Sequence, residues 1–204
     1  MWAFAVGLII LTVLPLLQSL TYRAPPPKAS LGTWSLVDDK GQPIGSETLK
    51  GQVWIASFFF ARCPSVCPKQ QADFKKLLEH FNDLEGAPGK SPVRLVSFTV
   101  DPEFDTPAAL AAYATRMGAP EGRWKFVTGD KAAVSDFIVK KMMLHMGERR
   151  ELQGSTDLFD ISHANKFVLV DQNGDVRDYW DTDDNSRGNL VTAARMLAKR
   201  GPNP

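Results

Sequence analysis

Residues 53–60, VWIASFFF, form an apolar run broken by one small polar residue, Ser57. Alternate side chains of a strand point to opposite faces, so a strand this apolar has to be covered on both. The run therefore predicts the centre of a sheet with helices on both faces. The chain around it fits that demand. A short strand is expected at 33–37, ahead of a GQPIG turn. Phe74, Leu77, Leu78 and Phe81 stand at i, i+3, i+4 and i+7, one apolar stripe of a helix, and 93–100 returns as a strand. Asp105 and Thr106 precede Pro107 as cap and first helical residue, with a stripe of Leu110, Ala114 and Met117 ending at Gly118.

A strand at 124–128 follows, then a helix capped by Asp130 with Val134, Phe137, Ile138 and Met142 on one face. Residues 145–162 show no sustained period. Strands at 166–171 and 175–180, joined by Gln172, Asn173 and Gly174, read as an antiparallel hairpin, and a helix over 186–200 closes at Gly201. This order predicts an α/β fold, a thioredoxin-like sheet with helices on both faces.

A chain of 204 residues accommodates one domain of ordinary size with a short appendage. The appendage is amino-terminal. Residues 2–22 carry no charge, and at about 1.5 Å per residue this run spans the ~30 Å of a bilayer core, so 1–22 is expected to be a membrane anchor or signal. An uncleaved anchor is favoured, because the stretch lacks a basic start and a small-x-small cleavage site. Residues 23–30 are proline-rich and read as a semi-rigid spacer, leaving 31–204 as the domain. With 24 basic against 23 acidic residues the net charge is +1, which supplies no basic field for nucleic acid.

Two cysteines cannot make a disulfide-rich scaffold, so they are read for chemistry. Cys63 and Cys67 follow the buried strand, on the loop and first turn leading into the Phe74 helix. A helix amino terminus favours thiolate over thiol, and Arg62 is expected to push the same way. Three residues separate the pair, against two in a thioredoxin CxxC motif, although thiol exchange suits either spacing. Two thiolates holding a soft ion such as Cu(I) need a third donor, and imidazole qualifies. His80 falls near a helix end and is set aside as a solvated residue. His163 precedes the strand at 166–171, where thioredoxin-like redox proteins usually carry a cis-proline; no proline occurs between Pro120 and Pro202. A histidine at that mouth would give, with Cys63 and Cys67, a set of three donors. The run Met142-Met143-Leu144-His145-Met146 also offers soft donors, read first as core filling and second as a copper-docking surface.

The pieces FFFARCPSVCP, VSFTVDPEFDTPAALAAYA, WKFVTG and SHANKFVLVDQNGDVRDYWD, in this order, resemble the SCO/SenC family of membrane-tethered, thioredoxin-fold copper-binding proteins. The resemblance covers nearly the whole chain beyond the spacer. It implies a copper ion held by Cys63, Cys67 and His163. It further implies delivery to the copper A centre of cytochrome c oxidase subunit II, from an unidentified copper donor or with an unidentified reductant. The domain would then stand on the extracytoplasmic (periplasmic) side of the cell or inner membrane, anchored through residues 1–22. Many members have Asp-His before Ser or Thr, where this chain has Ser162-His163-Ala164, so the group orienting the imidazole differs. Such a metallochaperone is not an enzyme. The alternative expectation is a membrane-tethered thiol:disulfide oxidoreductase using Cys63 and Cys67; a peroxiredoxin-like peroxidase is a third.

Overall fold

The computed structural model describes residues 24–63, 67–151, 159–163 and 165–200, with backbone alone over 147–151 and 159–163. Among the described residues ten strands occur in chain order: β1 (Ala29–Ser30), β2 (Ser35–Asp38), β3 (Pro43–Gly45), β4 (Val53–Phe59), β5 (Val93–Thr99), β6 (Trp124–Thr128), β7 (Met146–Glu151), β8 (Phe159–His163), β9 (Lys166–Val170) and β10 (Asp175–Asp181). Eight of them make one sheet in the order β1-β10-β9-β4-β5-β6-β2-β3, and β7 pairs with β8 alone. The run at 53–60 is indeed central: every residue of β4 is buried, with β5 parallel on one side and β9 antiparallel on the other.

The helices are α1 (Cys67–Lys76), α2 (Pro107–Met117), α3 (Lys131–Asp136) and α4 (Asp184–Arg200). The parallel register Ser57↔Ser97 and Phe58↔Phe98 puts those two rows on opposite faces of the sheet. On the Ser57 face, Gln71 and Phe74 of α1 meet Ser57, Ser97 and Trp124, and Tyr113 of α2 packs on Phe59 and Phe126. On the Phe58 face, Phe98 packs in tilted contact with Phe137, just beyond α3, and with Trp34. The expected covering of both faces is present.

Several boundaries differ from the sequence expectation. The helix through Phe74 keeps α geometry only to Lys76 and tightens into a 3₁₀ segment over Leu77–Leu84, with Leu77, Leu78, Phe81 and Leu84 still buried. α3 widens into a π turn over Phe137–Lys141. The segment read as a spacer ends in β1: Lys28 donates its amide to Val176 O at 2.8 Å, and Arg177 Nε donates to Pro25 O at 2.6 Å. Residues 145–162, where no period was legible, contain the β7–β8 hairpin. Among the described residues no helix is long and apolar enough to cross a membrane; residues 1–22, the expected anchor, lie outside them.

Candidate metal centre

The cysteine loop leaves the central strand at its carboxyl end. Cys63 donates its amide to Phe60 O at 3.2 Å, and Cys67 is the first residue of α1. Both side chains are buried, Cys63 at 7% exposure and Cys67 at 0%, and no disulfide joins them. Burial alone disfavours a thiolate, whereas the unpaired amides of a helix start favour it. Two soft sulfurs enclosed at a helix amino terminus suit a soft cation, which relieves the charge that burial penalises.

A second loop, following β5, is bonded to the first. Val100 N–H donates to Phe59 O at 2.8 Å. The buried Asp105 carboxylate accepts from Ala61 N–H at 3.0 Å and from the Thr99 hydroxyl at 2.5 Å, while Thr99 Oγ1 accepts from Asp101 N–H at 3.0 Å. Asp105 was expected as a capping residue of α2. The structure gives that role to Thr106, whose side chain accepts from Ala109 N–H, and turns Asp105 toward the cysteine loop. Burial foremost pushes the Asp105 carboxyl above its ordinary range, against the two bonds from Thr99 and Ala61 that favour its charge.

Arg62 stands beside Cys63 as expected, but its charge is shared. Its guanidinium lies 3.1 Å from Asp101 Oδ2 and 3.5 Å from the centroid of Phe104, an aromatic ring left 45% exposed. The Arg62–Phe104 pair forms the visible rim of the cysteine loop.

Two residues here escaped sequence reading. Tyr113 is buried at 3% exposure, and its hydroxyl has no hydrogen-bond partner among the described residues. Its phenol is pushed well above the ordinary tyrosine range, first by burial and next by electrostatic interaction with Cys67, with Cys63 and Asp105 adding to it. Position 113 follows Leu110 by three on an apolar helix face, a place where a polar-tipped aromatic is conspicuous. Gln71 is wholly buried one turn after Cys67, within a network of Ser57, Ser97 and Trp124. Its signal was a polar residue three before Phe74 on the apolar stripe.

His163 ends β8, directly opposite Met146 of β7 in the antiparallel ladder; its side chain lies outside the described residues. The structure thus places Cys63 just beyond β4 and Cys67 at the start of α1, and gives the third expected donor a backbone position only. His80 is exposed on the 3₁₀ segment, as expected of a solvated histidine. The acidic run 181–184 leads into α4, with Asp183 accepting from Ser186 N–H at 3.0 Å.

The SCO1/SenC family pattern matches residues 23–198. The chain belongs to the SCO1/SenC family. A putative copper-binding protein of Stutzerimonas stutzeri is 30% identical over 152 residues, covering 74% of this chain and 69% of that one. The crystal structure of a SCO1/SenC family lipoprotein from Bacillus anthracis superposes with a TM-score of 0.72 at 27% identity, covering 87% of this chain and 99% of the other. BsSco, described as a member of the Sco family of cytochrome c oxidase assembly proteins, superposes with a TM-score of 0.68 at 24% identity, over 87% and 97% of the two chains. The likeness to these structures gives the chain the fold of that family.

Proposed function

We propose that this SCO1/SenC chain is a copper metallochaperone that holds a copper ion through Cys63, Cys67 and His163 and passes it to the copper A centre of cytochrome c oxidase subunit II. The observation that carries the reading is the buried dithiol at the start of α1, within a family that includes a copper-binding relative and an oxidase assembly protein. Copper is cargo here, transferred by ligand exchange without turnover, so the protein is not an enzyme. Two thiolates with one imidazole form a soft set that retains Cu(I) and can release it stepwise to a site richer in donors. Residues 1–22 act as an anchor that keeps the domain beside the membrane-bound oxidase, on the extracytoplasmic side. An unidentified donor or reductant supplies the metal or restores the dithiol, since copper binding requires both sulfurs reduced.

The two unbridged cysteines beside a helix start also support a second reading, a membrane-tethered thiol:disulfide oxidoreductase acting on the cysteines of the oxidase copper site or of another exported protein. The test is metal analysis of the full chain in mild detergent, loaded with Cu(I) under reducing conditions, beside a Cys63→Ser/Cys67→Ser variant. One copper per chain, lost in the variant, is expected. A wild-type chain that stays metal-free yet exchanges disulfides rapidly would give the function to the second reading.

A further inference from the structure

The π turn at Phe137–Lys141 ends at Met142, still helical at φ −84° and ψ −6°, and the side chains of the residues from there to His145 alternate in burial. Met142 is fully buried and Leu144 is 8% exposed, whereas Met143, at 54%, and His145 point outward. The core-filling role expected of the methionine run thus applies to Met142 and not to Met143. Hydrogen bonds pin the segment at both inward positions: Met142 N–H donates to Phe137 O at 2.9 Å, Met142 O accepts from the Tyr179 hydroxyl at 3.0 Å, and Leu144 N–H donates to Ile138 O at 3.1 Å.

Met143 has a φ of 51°, and among the described residues it is the one non-glycine at positive φ. Glycine or asparagine is the usual occupant of a left-handed position that closes a helix. Methionine therefore meets two penalties here, a backbone conformation poor for a side chain and an apolar side chain held in water. Packing explains neither. What the residue contributes is its thioether, two positions from the exposed imidazole of His145. Two residues apart, their Cα atoms lie no more than about 7 Å from one another, a span over which a thioether and an imidazole can close on one soft ion. The cations next to the pair are engaged elsewhere: Lys140 bonds to Asp136, and Lys141 donates to Leu31 O and Thr33 O.

The segment runs directly into β7, where Met146 faces His163 across the ladder. Opposed Cα atoms in such a ladder are about 4.5 to 5.5 Å apart, so His145 stands one residue from the position opposite His163. We propose that Met143 and His145 form a solvent-facing docking site for Cu(I), from which the ion passes to the centre containing His163. This rests on the copper reading of the Cys63–Cys67 site. No electron moves in the step: Cu(I) leaves its carrier thiolate, is held by the thioether and imidazole, and exchanges them for the cysteine sulfurs, whose protons go to the solvent.

Two measurements on the full chain in mild detergent decide it. In a Cys63→Ser/Cys67→Ser background, anaerobic titration with Cu(I)-glutathione should shift the Met143 methyl and His145 ring signals together in NMR spectra, and Met143→Leu alone should abolish the shift of the His145 ring signals. In the chain with both cysteines, Met143→Leu/His145→Gln should slow the rise of thiolate-to-copper charge-transfer absorption at least tenfold, with final affinity unchanged within twofold. Leucine is not branched at Cβ and takes the same backbone, and an unaltered melting temperature checks the fold. Absent shifts at Met143 and His145, or an unchanged loading rate, would overturn the docking site. Should the cysteine pair itself take no copper, the metallochaperone reading fails while the titration still judges Met143 and His145 separately, and shifts there would leave a surface copper site without the onward transfer, overturning the proposal as stated.

Discussion

The carboxylate of Asp105 accepts the amide of Ala61 at 3.0 Å, tying the loop after β5 to the loop that carries Cys63. The same oxygen takes the Thr99 hydroxyl, so one buried side chain holds two donors. Asp105→Ala leaves both donors buried and unpaired, and a loss of about 1–3 kcal/mol in unfolding free energy is expected. Asp105→Asn tests the charge. Burial raises the folded-state pKa of this carboxyl above its unfolded value near 3.8, so the folded protein binds the proton more tightly. That contribution is fully present below the unfolded value and is lost as pH rises through the folded one. Wild type minus Asp105→Asn should therefore grow in stability toward acid pH, and urea melts between about pH 4 and 7 read that slope. A difference that does not vary with pH would contradict the burial argument.

The network under α1 predicts a coupling between core polarity and the cysteine loop. Ser97 Oγ lies 2.7 Å from Ser57 Oγ, donates to Gln71 Oε1 at 2.8 Å and accepts from the Trp124 indole N–H at 2.9 Å. Ser97→Ala strips partners from a buried indole and a buried amide at once, for a loss of about 1–3 kcal/mol. Gln71 lies one turn beyond Cys67 on the same helix, so the loosened contact should also raise the rate of Cys67 alkylation by iodoacetamide. Unfolding melts and mass-spectrometric labelling of the variant measure the two effects.

What the sequence disclosed and what it hid follow from the range of the interactions involved. The central strand, the hairpin of β9 and β10, and the caps at Thr106 and Asp130 are local matters of periodicity and turn chemistry, and each appears near its expected place. β1 was hidden because a proline-rich stretch takes a strand only by pairing with β10, some 145 positions away. The pairing of β7 with β8 was hidden because β7, MGERRE, has one apolar residue and no alternation to mark a face, so the short alternation of Phe159, Asp160, Ile161 and Ser162 had no legible partner. At the metal centre, the cysteine spacing and helix start were legible. The role of Asp105 was not, since its partners, Thr99 at the end of β5 and Ala61 beyond β4, come together only through the parallel pairing of those two strands.

Tyr113 supplies a prediction of opposite sign. Its buried hydroxyl lacks a hydrogen-bond partner among the described residues, while its ring packs 5.0 Å from Phe59 and 5.5 Å from Phe126. Tyr113→Phe keeps the ring contacts and removes the desolvated hydroxyl, so the metal-free protein should be as stable as wild type or more stable, by up to about 1 kcal/mol. A loss exceeding 1 kcal/mol in thermal or urea unfolding would mean that the hydroxyl is bonded in solution.

The division of labour between sulfur and nitrogen at the metal centre yields the last expectation. Dithiol exchange needs only Cys63 and Cys67, whereas the proposed copper set adds the imidazole of His163. Loss of one donor from a three-donor set weakens Cu(I) retention, and for soft ions the remaining sulfurs still hold a residual two-coordinate complex. His163→Ala should therefore lower Cu(I) affinity by at least tenfold in competition with a chromophoric chelator, while the rate of disulfide exchange with a small disulfide changes less than about twofold. Because β8 pairs with β7, the alanine keeps the backbone ladder intact, and an unchanged melting temperature would separate ligand loss from unfolding. Equal copper affinity in wild type and His163→Ala would remove His163 from the ligand set and leave the dithiol as the whole of the chemistry.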